Sequence, residues 1–183
     1  MLVGTSPTDL YVAAQDLLTA ASDACDTVPD AGTTKGGHIV RQYVSPGLPP
    51  WDGCPQLTVH VGSAVLGDTA PLQPPLQPGV REGANRAVRL VAFTVTVLRC
   101  VPVIGNVGPK TPSPQTISDA AQVIDSDLWA IWNHLAALKR AGLLFPPDKT
   151  RVMFFDPAVA VNTSGGTGGW QLQFRVEMPS YPS

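Results

Sequence analysis

The residue types that could carry catalytic or metal chemistry are scattered in this sequence. His134 falls in a long predicted helix with Asp127 two turns before it, whereas a metal pair on a helix needs a spacing of three or four residues. Ser63 lacks the second glycine of a nucleophile elbow. The glycine-rich run 164–169 precedes a strand, not the helix that a phosphate cradle needs. The sequence therefore predicts no catalytic residue, no metal ligand and no cofactor, and we do not expect an enzyme.

The cysteines form no recognisable framework. Cys25, Cys54 and Cys100 are odd in number and far apart, and no CxxC pair occurs. Neither a zinc site nor a set of disulfides is indicated by this spacing. We therefore predict three reduced, buried thiols.

Aromatic side chains offer the other candidate site. Trp129 and Trp132 lie at helical spacing beside an apolar stripe, which favours a place in the core over a ligand box. Trp51 lies in a proline-rich loop, where it is either a contact anchor or tucked under the sheet. Basic residues gather at the start of a predicted strand, and solvated ion pairs are favoured there over a phosphate-facing role; they are Arg81, Arg86 and Arg89, with Glu82 beside them.

Composition excludes several classes of protein. Of the 183 residues only 14% are charged, where about 25% is usual, and 44% are hydrophobic. A highly charged disordered chain is therefore excluded. The net charge of −2 argues against a basic nucleic-acid binder. No run of about 20 apolar residues predicts a membrane span, and the first residues carry no basic stretch, so no signal peptide is expected.

Hydrophobic patterning predicts two helices and a sheet in one domain, residues 1–183. The first helix runs from Ser6 to Cys25, with Ser6 as its N-cap and Pro7 at its first position. The second runs from Pro114 to Ala141, capped by Ser113 and ended by Gly142. Alternating residues predict strands, which are 38–44, 56–66, 86–103, 151–161 (bent at Asp156-Pro157) and 170–178, with a flexible tip at 162–169.

The order α-β-β-β-α-β-β predicts an α+β fold, with both helices on one mainly antiparallel sheet. Both rows of the strand 86–103 are mostly apolar, so we expect it to be covered on both faces. Residues 67–85 hold three Leu or Val residues among four prolines and form a connection too long for an ordinary loop. We predict a protruding loop there.

This layout resembles that of bacteriophage tail terminator (tail completion) proteins. The matching features are the first helix, the strands 56–103 with the long insertion, the second helix, and the closing strand Gly-Gly-Trp-Gln-Leu-Gln-Phe-Arg-Val. The resemblance covers nearly the whole chain, and it lies in the order and general pattern of the helices, strands and loops more than in a signature motif. The length of the second helix and the proline-rich insertion depart from the family pattern.

The resemblance implies a structural protein of the virion neck or tail, made in the host cytoplasm. It implies a hexameric ring that caps the tail tube on one face and meets the head–tail connector or stopper protein on the other. DNA would pass through the lumen without specific binding. We expect the long loop and the hairpin tip to carry these contacts, and the candidate interface residues are Trp51, Leu72, Leu76, Val80, Arg81, Arg86, Asn162, Thr163 and Thr167.

Three other interpretations remain open at this point, and one of them is a host-derived soluble binding module that grips a partner with Trp51 and the prolines. A head-completion or stopper protein would share the same class but contact other partners. A small α+β enzyme or ligand-binding domain would instead use a pocket around Trp129, Trp132 and His134.

Overall fold

The computed structural model describes residues 8–47, 53–67, 88–102, 111–144, 153–163 and 166–178. Several predicted features lie outside these ranges. They are the N-cap and first-position proline of the first helix, the loop tryptophan Trp51, and nearly all of the predicted loop 67–85.

The two helices form where the apolar stripes predict them. The first, α1, spans Thr8–Cys25, and the second, α2, spans Pro114–Ala141. The hydroxyl of Ser113 accepts a hydrogen bond from the backbone N–H of Thr116 at 3.1 Å, which satisfies one free donor of the first turn. Gly142 ends α2 in the left-handed conformation, with φ of 68°, that its missing side chain permits. The predicted capping residues of α2 are thus confirmed.

The strands join into one mixed sheet, and the α+β fold class is confirmed. The strand order is β1-β2-β3-β6-β4, and β5 also pairs with β6. Only β1 and β2 run parallel within this described sheet; the other pairs are antiparallel. The strands are β1 (Arg41–Ser45), β2 (Gln56–Gly67), β3 (Val88–Cys100), β4 (Met153–Phe155), β5 (Val159–Thr163) and β6 (Thr167–Met178).

Both helices pack on one face of this sheet. Valine and phenylalanine side chains of β3 alternate inward and meet apolar residues of β6 across the register, such as Val95 opposite Leu172 and Phe93 opposite Phe174. The opposite face of β3 is also buried, at Thr94, Thr96 and Leu98. The prediction that this strand is covered on both faces is therefore confirmed. The second face is polar in character, because threonines and a histidine replace the aliphatic residues.

The final hairpin departs from the prediction at its tip. The predicted flexible tip 162–169 is wrong, because β5 continues through Thr163 and β6 begins at Thr167, and these two residues pair. The glycines of this region have a packing role. A Cβ on Gly169 would lie 1.9 Å from the carbonyl oxygen of Val97, so β6 approaches β3 too closely for any side chain there.

Two other strands differ in detail. The predicted strand 38–44 is shorter at its start and begins at Arg41. The predicted strand 151–161 is two strands in the described part, with the break at the predicted Asp156-Pro157 bend. Arg175 of β6 donates to the Asp156 carboxylate, with Nε 2.9 Å from Oδ2, and holds this break against the sheet.

Candidate functional site

A buried ion pair joins the sheet to the helix layer. Nε of Arg99 donates to Oδ2 of Asp127 at 2.8 Å, and Nη2 donates to Oδ1 at 2.8 Å. The arginine also donates to the backbone carbonyls of Gly36 at 3.3 Å and Gly37 at 2.8 Å. The two charged side chains are only 4% and 1% exposed. One guanidinium therefore connects β3, α2 and the loop that follows α1.

Local structure places each member of this junction. Arg99 is the last inward-facing residue of β3, in the row that otherwise holds valines and a phenylalanine. Asp127 lies on the buried stripe of α2. The loop presents its carbonyls because Gly37 takes a left-handed φ of 61° and donates its N–H to Val28.

Burial sets the protonation of this junction. It raises the pKa of the Asp127 carboxyl above its usual value, and the neighbouring Arg99 guanidinium partly offsets that rise. Burial also raises the pKa of the Cys25 thiol, and Asp127 beside it raises it further. A thiol held protonated is a poor nucleophile. The junction is therefore built to hold elements together, and Arg99 and Gly36 also form part of the wall of a neighbouring groove.

Sequence reasoning did not pair these two charges. The available signal was a single arginine ending an inward row of aliphatic residues and a single aspartate on the apolar stripe of α2. A buried charge needs a partner, so each of these two residues indicated an opposite charge packed against it.

The cysteine prediction is wrong for two of the three residues. Cys54 and Cys100 form a disulfide, with their Cα atoms 5.2 Å apart. Gln56 pairs with Leu98, so the antiparallel register continues outward to bring the two cysteines opposite each other. Their separation of 46 residues hides this proximity in the sequence. Cys25 is free and buried, as predicted.

The aromatic candidates divide. Trp132 lies at the edge of the core with its ring 5.2 Å from that of Phe155. The core prediction is wrong for Trp129, which is 57% exposed. It follows Asp127 by two residues, about 200° around the helix, and so faces away from the sheet. His134 is half-buried, and among the described residues no three His, Cys, Asp or Glu side chains group as metal ligands.

Several predicted interface residues lie outside the described ranges, namely Trp51, Leu72, Leu76, Val80, Arg81 and Arg86. The others come together on the final hairpin. Asn162 and Thr163 end β5, opposite Gly168 and Thr167 of β6. Thr167 is buried and also pairs with Cys100 of β3.

An apolar groove lies beside this hairpin. It measures about 520 Å³ and runs between the first half of α2 and the strands β5 and β6. The helix contributes Ile117, Ala121 and Ile124, and the strands contribute Val161 and Trp170, with the carboxylate of Asp125 also in the lining. The groove reaches β5, which pairs only with β6 among the described strands. Ile117 is 48% exposed, and Val159 at the start of β5 is 54% exposed.

A second groove, of about 460 Å³, lies between the loop after α1 and the end of β3. Its lining includes Lys35 and His38. Both already have acidic partners, because Lys35 lies 2.6 Å from Asp30 and His38 lies 3.0 Å from Asp26. Because both side chains already have an acidic partner, this groove attracts an anionic ligand only weakly.

Neither the family models nor the curated proteins contain a significant match to this chain. Within the described residues, no helix has both the length and the apolar character needed to cross a membrane.

Proposed function

We propose that this chain is a structural protein of a bacteriophage virion: a tail terminator that assembles into a ring, caps the tail tube and joins it to the head–tail connector. The ring is a homohexamer, one face meets the tail tube protein, and the other meets the connector or stopper protein. The protein works through its surfaces, without a cofactor or a reaction.

One observation carries the proposal. The helix, three strands, helix and closing strands follow the order of the resembling family, and the sheet ends in a strand, β5, with no neighbour on its outer side among the described strands. Residues 159–161 of that edge are Val-Ala-Val, without the charge or proline that protects edges of monomeric proteins. A repeated contact at such an edge favours assembly.

The surface supports the same proposal. Large apolar side chains stand out from several elements, among them Val40 at 85% exposed, Leu143 at 73% and Trp129 at 57%. Together with the low charge content, they give a surface that neighbouring subunits or axial partners can cover. Heterologous contacts that close make rings.

The disulfide bears on where the protein works. Disulfides are rare in the cytosol and persist on virion surfaces. Cys100 is exposed and Cys54 half-buried, so the bridge is accessible to the surrounding medium. We therefore propose that the thiols are reduced when the chain is made in the host cytoplasm, and that dissolved oxygen oxidises the pair in the released particle, each thiol losing a proton and one electron as the S–S bond forms.

Another neck component, a head-completion or stopper protein, remains the second candidate, because the same edge and surface would serve it. The ligand-binding alternative is weaker. It needs Trp129, Trp132 and His134 to converge, and Trp129 faces away from the sheet on which Trp132 packs.

The test is to polymerise tail tubes in the presence of the purified chain. We expect electron micrographs to show a ring at one end of each tube and tubes that stop lengthening. Tubes that carry no ring and lengthen normally would overturn the terminator function. Binding to the portal-side adaptor in place of the tube would assign the chain to the stopper.

A further inference from the structure

We propose that the groove between α2 and the final hairpin receives the proline-rich segment, residues 71–81, of a second copy of this chain. The inference rests on the proposed assembly and adds the surface that receives this segment, which we call the arm. It joins a groove with no occupant among the described residues to a segment whose chemistry suits it.

The groove has the chemistry of a site for an extended, proline-rich peptide. Such peptides dock in grooves lined by aromatic and aliphatic side chains. Here Trp170 forms part of the lining with the isoleucines of α2. Its indole Nε1 is buried and has no hydrogen-bond acceptor in the described part of the chain. A buried indole N–H normally has a partner, and a peptide carbonyl that displaces the side chains covering this nitrogen would supply one.

The segment matches these features. Residues 71–78 read Pro-Leu-Gln-Pro-Pro-Leu-Gln-Pro, two successive PxxP units. This composition favours the polyproline II conformation, which costs little entropy to order on binding. Leu72 and Leu76 supply apolar side chains for the groove. Arg81 follows them, and the Asp125 carboxylate in the lining has no ion-pair partner among the described residues.

Chain length keeps the full segment, with Leu72 included, out of the chain's own groove. The segment leaves β2 at Gly67, which pairs with Val88 at the start of β3. The groove lies at the other end, where Trp170 pairs with Val97, nine residues further along β3. Nine residues of strand span about 30 Å. Leu72 follows Gly67 by five residues, and so reaches at most about 18 Å. Leu76 follows Gly67 by nine residues and spans about 28 Å in the polyproline II conformation, so only the second half of the segment comes near the chain's own groove.

A groove that holds both Leu72 and Leu76 must therefore receive them from another copy. The arm leaves one end of the β2–β3 hairpin, and the groove lies at the opposite end of β3. Donor and acceptor surfaces are thus different parts of the same molecule, which makes the contact heterologous; such contacts form a closed ring when the rotation between copies closes. Each copy would give one arm and receive one.

Photo-crosslinking tests the contact in the full chain. Leu76→p-benzoylphenylalanine is made in ¹⁴N and ¹⁵N forms, and the two are mixed before assembly. We expect crosslinks from residue 76 to peptides of 114–130 or 159–171, with about half of them joining a light chain to a heavy one. Crosslinks to the groove that never mix isotopes would overturn the inference. So would an assembled ring whose residue 76 crosslinks elsewhere, and that result leaves the proposed function standing.

A peptide assay tests the groove even if the chain stays monomeric. A labelled peptide of residues 68–87 should bind the full chain saturably. Ile117→Lys places a charge in the groove and should weaken binding at least tenfold. Val12→Lys is the matched control, because Val12 is 46% exposed on α1, outside the groove, and Ile117 is 48% exposed. No binding, or equal loss in both variants, would overturn the inference.

Discussion

The buried ion pair between Arg99 and Asp127 should dominate the stability of the helix layer. Asp127→Asn keeps the shape of the side chain but removes the charge, so the guanidinium remains buried with only two backbone carbonyls and one amide oxygen as acceptors. Removing one partner of a buried pair costs about 3–5 kcal/mol. For a chain of this size that loss lowers Tm by about 10 °C.

The chain contains a matched control for this variant. Arg175 and Asp156 also form a two-pronged pair, but their side chains are 43% and 22% exposed. Because water screens such a pair, Asp156→Asn should cost only about 1 kcal/mol or less. Urea unfolding of both variants at one protein concentration gives the comparison. Equal losses of stability in the two variants would refute the claim that burial makes the Arg99–Asp127 pair the larger contributor to stability.

A double replacement separates the pair from its burial. Asp127→Leu with Arg99→Met removes both charges and refills the volume. Replacing a buried pair by apolar residues is often neutral or stabilising, so the double variant should be more stable than Asp127→Asn by about 2 kcal/mol or more. A double variant as unstable as the single one would show that the loss comes from packing and not from the uncompensated charge.

Three further predictions concern the disulfide, a histidine and a glycine. Replacing Cys54 and Cys100 by alanine should lower the stability of the air-oxidised protein by about 4 kcal/mol from the lost loop constraint. Thiol titration of the air-oxidised protein, unfolded without reductant, should find one thiol, and three would contradict the bridge. Burial lowers the pKa of His60, so the unfolded state binds more protons than the folded state below about pH 6.5, and the free energy of unfolding should fall as the pH drops through that range. His60→Gln should make the free energy of unfolding, measured with urea, depend less on pH. An unchanged pH dependence would assign it to other groups. Gly169→Ala should cost about 3 kcal/mol or more in thermal unfolding, because its Cβ would meet a carbonyl of β3. Gly47→Ala is the control and should cost little, because the space around Gly47 is open. Similar costs for the two variants would contradict the close strand contact.

Periodicity was enough to predict most of the fold. The stripe of α2, its Ser113 cap and its Gly142 end are local features, and the structure confirms them. The tip of the final hairpin could not be predicted in the same way. Its glycines suggested flexibility, but Gly169 serves a close approach to Val97, which lies far away in sequence. That requirement appears only once β3 and β6 are paired.

The site was less predictable than the fold because it depends on register. The disulfide follows from the pairing of β2 with β3, and the buried junction follows from the packing of α2 on that strand. The groove likewise exists only where α2 leaves the strands β5 and β6 uncovered near Ile117. A single sequence gives the residues for each of these contacts but not the distance between them.

The mass of the particle formed by the purified full chain tests the central claim most directly. Native mass spectrometry, with electron microscopy of the same sample, should find a closed ring of about 115 kDa, six copies of the 19.2 kDa chain, either alone or on tail tubes. A chain that remains a monomer at every concentration, and in the presence of tail tubes, would contradict the account.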